Sequence, residues 1–179
     1  MSILIGILSV IAGIIVIFLV LALIIKKDFS LSKEVIIDQP AAIVFNYLKL
    51  IKNQEKYSVW VMKDPNIKIV YTGTDGTVGF TSSWQSDDKN VGVGAQEIIA
   101  IKEGESMQVE IRFKKPFEAT NYALTTVTPL SATQTKVTNT FTGAQKFPMN
   151  VMNVMMDKLV GKAMQQNLQN MKNNLENNG

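Results

Sequence analysis

The 179 residues carry a formal net charge of +3 with no Lys/Arg block, so they allow one ordinary domain plus an appendage and give no sign of a nucleic-acid surface. The absence of cysteine excludes disulfides, thiolate metal sites and a Cys nucleophile; the absence of histidine removes Ser-His-Asp and Cys-His machinery and nearly every zinc site. No metal-ligand spacing appears among the carboxylates, and the sequence predicts neither a metal nor a cofactor.

Ile3 to Ile25 is an uncharged, almost wholly aliphatic run, long enough as a helix to span a hydrocarbon core. A cleaved signal peptide competes with that reading. It would need a basic leading region, a shorter apolar stretch and a small-x-small site. No basic residue precedes this run, and Leu23-Ile24-Ile25 offers no cleavage pattern. The sequence predicts a retained anchor over residues 1–27, with the bilayer as partner through residues 3–25. Lys26 and Lys27 follow at once, which places the remaining domain, residues 28–179, on the cytoplasmic face of the inner membrane by the positive-inside rule.

Asp28 to Leu31 reads as a short link, able to span at most about 14 Å. Ser32 to Asp38 alternates as a strand. Asp38-Gln39-Pro40 is a helix-start signal, a capping side chain followed by proline near the first turn. Ala41 to Ile51 carries apolar residues at helical spacing, and a second short helix is predicted over Gln54 to Trp60. Strands follow: Ile67 to Tyr71; Val78 to Gln85, with Phe80, Ser82 and Trp84 on one face; and Val91 to Ile101. Met107, Val109, Ile111 and Phe113 then alternate with Gln108, Glu110, Arg112 and Lys114, the pattern of a half-buried antiparallel strand with its charges on the wet face. Tyr122 to Thr128 and Lys136 to Thr142 complete the set, with Asn139 between Val137 and Phe141 on the inward face. Gly92-x-Gly94 lacks the lysine and helix of a phosphate loop and reads as bulge or close-packing glycine.

From Phe147 to Asn178, Met152, Met156, Leu159, Val160, Met164, Leu168, Met171 and Leu175 recur at three- and four-residue steps, one apolar stripe on a long helix. Six of the nine methionines lie in this segment. Flexible thioethers suit either an irregular core or a wall that adapts to a changing filling. The predicted class is α+β: a curved antiparallel sheet of about seven strands around a long C-terminal helix, preceded by one transmembrane helix.

That order, with Pro40-x-x-x-Val44-Phe45-x-Tyr47-Leu48, Trp60, Trp84, Gly92-x-Gly94-x-Gln96, Met149-Asn150-x-Met152 and Asn167-Leu168-x-x-Met171-Lys172-x-x-Leu175, resembles the START-like (SRPBCC) superfamily of helix-grip proteins. Among these it resembles the membrane-anchored bacterial polyketide cyclase/dehydrase-like members, over residues 31 to 177. The resemblance implies an internal cavity for lipids, hormones or polyketide-like molecules. Set on the strand and helix faces above, it makes Phe80, Trp84, Val109, Ile111, Phe113, Tyr122, Asn139, Met152, Met156, Leu159 and Met164 the expected lining. Three functions remain open: a binding module for an apolar small molecule or lipid; a domain with a filled core that binds an unknown protein partner; and a cyclase or dehydrase using Tyr47, Tyr71 or Tyr122 as acid. No catalytic residue is assigned.

Overall fold

A computed structural model describes residues 2–177. Helix α1 (Ser2–Ile24) projects away from a seven-stranded sheet. The sheet is built from β1 (Asp28–Ile37), β2 (Lys68–Thr72), β3 (Thr81–Gln85), β4 (Val93–Lys102), β5 (Ser106–Lys115), β6 (Ala119–Pro129) and β7 (Thr135–Ala144), in the order β1-β7-β6-β5-β4-β3-β2. All neighbours are antiparallel. Consecutive strands from β2 to β7 are hairpin neighbours, and β1 returns beside β7. The two helices between β1 and β2, α2 (Ala41–Leu48) and α3 (Val59–Lys63), and the C-terminal helix α4 (Lys162–Asn177) cover one face. The fold is the expected α+β helix grip. Asn178, the last residue of the expected helix, lies outside the described residues.

Several local expectations are corrected. There is no free link after α1: β1 starts at Asp28, opposite Ala144, because Phe29 and Leu31 continue the inward alternation of Val35 and Ile37. Asp38 caps no helix. Its backbone N–H donates to Glu176 and its carboxylate accepts from Gln134 at 2.7 Å, while α2 starts directly after Pro40 without a side-chain cap. The second short helix is split into a 3-10 turn, Ile51–Lys56, and α3. Asp75 from the β2–β3 turn holds that 3-10 start, accepting the N–H groups of Ile51 and Lys52 at 2.8 and 3.0 Å.

The C-terminal helix is not uniform either. Met149–Met155 is 3-10, Asp157–Gly161 is a π turn, and only Lys162–Asn177 is α-helical. The π turn sits where the helix passes β1: Lys33 pairs with Asp157 at 2.7 Å, and a Cβ on Gly161 would lie 2.3 Å from the Asp157 carboxylate. The extra residue in that turn changes the phase of the helix. The side chains before it therefore do not share the stripe of those after it.

The well-packed core lies where α2 meets the sheet. Val44, Phe45, Leu48, Phe80, Ile98 and Val137 are all at most 2% exposed there. Met164, Leu168, Met171 and Leu175 of α4 belong to the same buried cluster, so their burial helps to close the sheet around that helix.

Candidate functional site: an internal cavity

The rest of the interior is not filled. A cavity of about 700 Å³ lies between the concave face of the sheet, the start of α4 and the Ile51–Lys63 segment. The sheet contributes Trp84, Met107, Val109, Ile111, Phe113, Ala123 and Phe141; the C-terminal segment contributes Leu159, Val160, Ala163, Met164, Leu168 and Met171. Trp60 and Val61 of α3 close one side.

Trp84, Gly94 and Phe113 occupy one row across β3, β4 and β5. Gly94 has no Cβ, so the Trp84 indole leans over it and meets Phe113 edge-on at 5.8 Å between ring centroids. The indole N–H donates to the Val91 carbonyl at 3.2 Å, which fixes the ring as a wall.

Polar groups in the wall are mostly paired with each other. Gln96 donates to Gln54 at 2.7 Å, and Gln54 returns a longer bond at 3.4 Å. Asn139 donates to the Thr125 hydroxyl at 2.8 Å. The Asn167 carbonyl accepts the Val59 N–H at 2.8 Å, so its side chain starts α3. Tyr71 donates to Glu55, and its ring stacks on Phe80.

Burial pushes the Tyr57 phenol well above its ordinary range, with the neighbouring Tyr47 adding to the shift. Burial, and then the bond to Glu55, do the same for Tyr71. Both phenols hold their protons far above neutral pH, so neither is matched to donate one there. The sign for stability follows. The unfolded tyrosines ionise near 10.0, whereas the folded ones do not until higher pH. Their contribution is therefore intact below pH 10 and is lost as the pH rises beyond it. Thermal unfolding should show a melting temperature flat up to about pH 9 and falling above 10, with a shallower fall in Tyr57→Phe. An equally steep fall in that variant would show that Tyr57 is not responsible.

Among the described residues no group of three or more Asp or Glu side chains comes together as a metal site.

Residues 28–176 match the protein family described as "Polyketide cyclase / dehydrase and lipid transport". The chain belongs to that family. No curated protein matches the sequence. Members of the same fold among solved structures include norcoclaurine synthase from Thalictrum flavum, in complex with dopamine and hydroxybenzaldehyde, at 8% identity and TM-score 0.64, covering 87% of this chain and 91% of that one. The Zhui aromatase/cyclase from a Streptomyces species is similar at 11% identity and TM-score 0.60, covering 83% and 94%. A conserved protein from Geobacillus kaustophilus matches at 10% identity and TM-score 0.61, covering 84% and 95%. At these identities the likeness is one of fold. Family and fold together fit a ligand-binding helix-grip domain.

Within this polyketide cyclase/dehydrase and lipid-transport domain, seven of the expected lining residues do meet at the cavity: Trp84, Val109, Ile111, Phe113, Asn139, Leu159 and Met164. Four do not. Tyr122 is on the outer face and 36% exposed, because β6 turns Asn121 and Ala123 inward. Phe80 is 1% exposed in the packed core, beneath Tyr71. Met152 falls in the 3-10 segment, before the π turn changes the helix phase. Met156 packs against the core without reaching the cavity. Tyr47 also lies off the cavity, its hydroxyl accepting from Asn174 at 3.3 Å.

Gln54, Tyr57, Thr125 and Asn167 are wall residues that no local pattern of the chain marks. Gln54 and Gln96 are 42 positions apart, on a turn and a strand, and no local spacing ties them together. Arg112 is where alternation put it, on the outer face between Glu97 at 2.8 Å and Glu110.

Proposed function

We propose that this chain is a membrane-anchored binding module whose cavity holds an apolar small molecule or lipid. The observation that carries the reading is the cavity of about 700 Å³, walled mainly by aliphatic, aromatic and Met side chains, with its wall amides Gln54, Gln96, Asn139 and Asn167 already bonded to each other, to a hydroxyl or to backbone. A ligand there gains free energy from the apolar area it removes from water and needs few new hydrogen bonds. The anchor is residues 1–27 and the binding domain residues 28–179. In support, Ile3–Ile24 is long and apolar enough to cross a membrane by length and composition, with mean hydropathy 3.3 and 6% of the segment buried against the protein. Lys26 and Lys27 directly after the span support a domain on the cytoplasmic side of the inner membrane by the positive-inside rule.

The test is native mass spectrometry of the full chain released from detergent, followed by organic extraction. The expected result is an adduct that yields a defined apolar molecule. Ala163 lines the cavity from α4, and Ala163→Phe should project a ring into it, lowering retained ligand by roughly tenfold while the chain stays folded. A clean unliganded mass with no uptake from a lipid panel would move the reading to a domain that binds a protein partner. Equal retention by Ala163→Phe would put the ligand elsewhere.

A further inference from the structure

The end of the sheet nearest α1 carries a second surface. Asp28 lies opposite Ala144, Asn121 opposite Gly143, Phe113 opposite Ala119 and Val93 opposite Lys115. The α1–β1 junction, the β3–β4 and β5–β6 loops and the segment after β7 therefore share one end. Hydrogen bonds fix its level along α1. The Asn150 amide donates to the carbonyls of Ala22 and Ile25 at 2.7 and 2.6 Å, and Asn153 to those of Lys26 and Lys27 at 2.9 and 2.8 Å. The segment Met149–Met155 is thus level with the last turn of the apolar helix, and Phe147 borders Ala22 to Lys27.

This end exposes large apolar side chains. Phe117 is 76% exposed and Val154 68%, with Phe147, Met149 and Met155 each close to half. Lys114, Lys115, Lys146 and Lys158 are exposed beside them and lie outside the ion pairs formed among the described residues. Of the acids at this end, Asp88 is engaged by Lys63, while Asp28, Asp87 and Glu118 are exposed outside those ion pairs and are outnumbered by the lysines. Apolar side chains ringed by unpaired lysines suit the boundary between acyl chains and anionic headgroups.

We propose that this end of the domain is seated on the leaflet that α1 enters, with Phe117 and Met149–Met155 in the interface and the four lysines on anionic lipid phosphates. The proposal rests on the reading of α1 as a membrane span. It also gives the cavity its entrance. Trp60, Asn90 and Leu159 line the cavity from α3, the β3–β4 loop and the π turn, and Leu159 is 53% exposed at this same end. An apolar molecule can then pass from leaflet to cavity without crossing water.

The chain has no cysteine, so one introduced thiol takes a fluorophore at a single place. The full chain with Glu118→Cys, next to Phe117, or Ile14→Cys, inside α1, is labelled and reconstituted into vesicles of phosphatidylcholine and phosphatidylglycerol containing doxyl-lipid quencher. Both probes should be quenched. Reversing Lys114, Lys115 and Lys146 to Glu should weaken quenching at position 118 by about threefold, leave position 14 unchanged, and be mimicked by high salt. Quenching at 14 but not at 118 means that the domain stands off the bilayer, and overturns the proposal alone. Quenching at neither position overturns the span and the proposal with it. Full quenching at 118 after charge reversal overturns the contact with anionic headgroups.

Discussion

Gly94→Ala should destabilise the domain by about 3 kcal/mol and at the same time weaken ligand binding about tenfold. A methyl group at this position would stand 2.6 Å from the Arg112 carbonyl oxygen and 2.5 Å from the Trp84 indole. The first neighbour is the backbone of the adjacent strand and cannot yield without breaking ladder bonds. The second can turn away, but only by leaving its edge contact with Phe113 and its bond to the Val91 carbonyl. Overpacking of a close-packed wall costs roughly 1–3 kcal/mol, and the lost ring contact and indole bond take the total to the upper end of that range. The measurement is urea unfolding of the full chain beside probe binding. Adding Trp84→Leu should recover part of the stability and none of the affinity, because it relieves one clash while removing the wall. A change under about 0.5 kcal/mol in the single variant would show that Gly94 is not needed for close approach.

Asn150→Leu should release the grip of the domain on α1. Asn150 is fully buried, and its amide nitrogen bonds the Ala22 and Ile25 carbonyls at 2.7 and 2.6 Å. A helix leaves its last carbonyls without internal partners, and with Asn150 and Ala22 both buried there is little water to replace the amide. Leucine of similar size leaves both acceptors unmatched, a cost of about 3 kcal/mol. The Asn150 carbonyl oxygen has no partner to lose, so the effect belongs to the two donated bonds. Trypsin offers a direct readout in reconstituted vesicles, since Lys26 and Lys27 lie at the junction. Cleavage there should rise at least roughly tenfold in Asn150→Leu, as the junction opens more often. Asn153→Ala should act in the same direction but less, because its bonds to Lys26 and Lys27 are exposed. An unchanged cleavage rate in Asn150→Leu would mean that the junction is held by β1 pairing alone.

Much of the molecule was legible in short-range pattern. The apolar run of α1, the alternation of β5 and the stripe of the C-terminal helix each report a local pattern of the chain; α1 and β5 formed where theirs ran, and α4 over only the second half of its stripe. The charged face of β5 was equally readable, because it depends on near neighbours along a strand; Gly92 and Gly94 read as close-packing glycines, but only the fold shows that they face Lys115, Arg112 and Trp84. What alternation does not report is which face encloses a void. On β6 the larger side chains Tyr122 and Leu124 point outward, and Ala123 and Thr125 point to the cavity. A wall that leaves space needs small residues inside, so amphipathic reasoning chose the wrong face there.

Met152 and Met156 were misplaced for a different reason. The π turn at Asp157–Gly161 lies where Lys33 and Gly161, on elements distant in sequence, approach each other, and it shifts the helical phase. The Gln54–Gln96 pair joins residues 42 positions apart, and the Asn150–Ala22 bond joins residues 128 apart. By itself, then, the sequence determined most of the elements, their order and the two faces of strands such as β5, because those follow from backbone periodicity and side-chain size. The tertiary structure alone decided the cavity, its paired amides and the socket that holds α1, because enclosed volume and long-range hydrogen bonds exist only once distant segments are brought together in three dimensions.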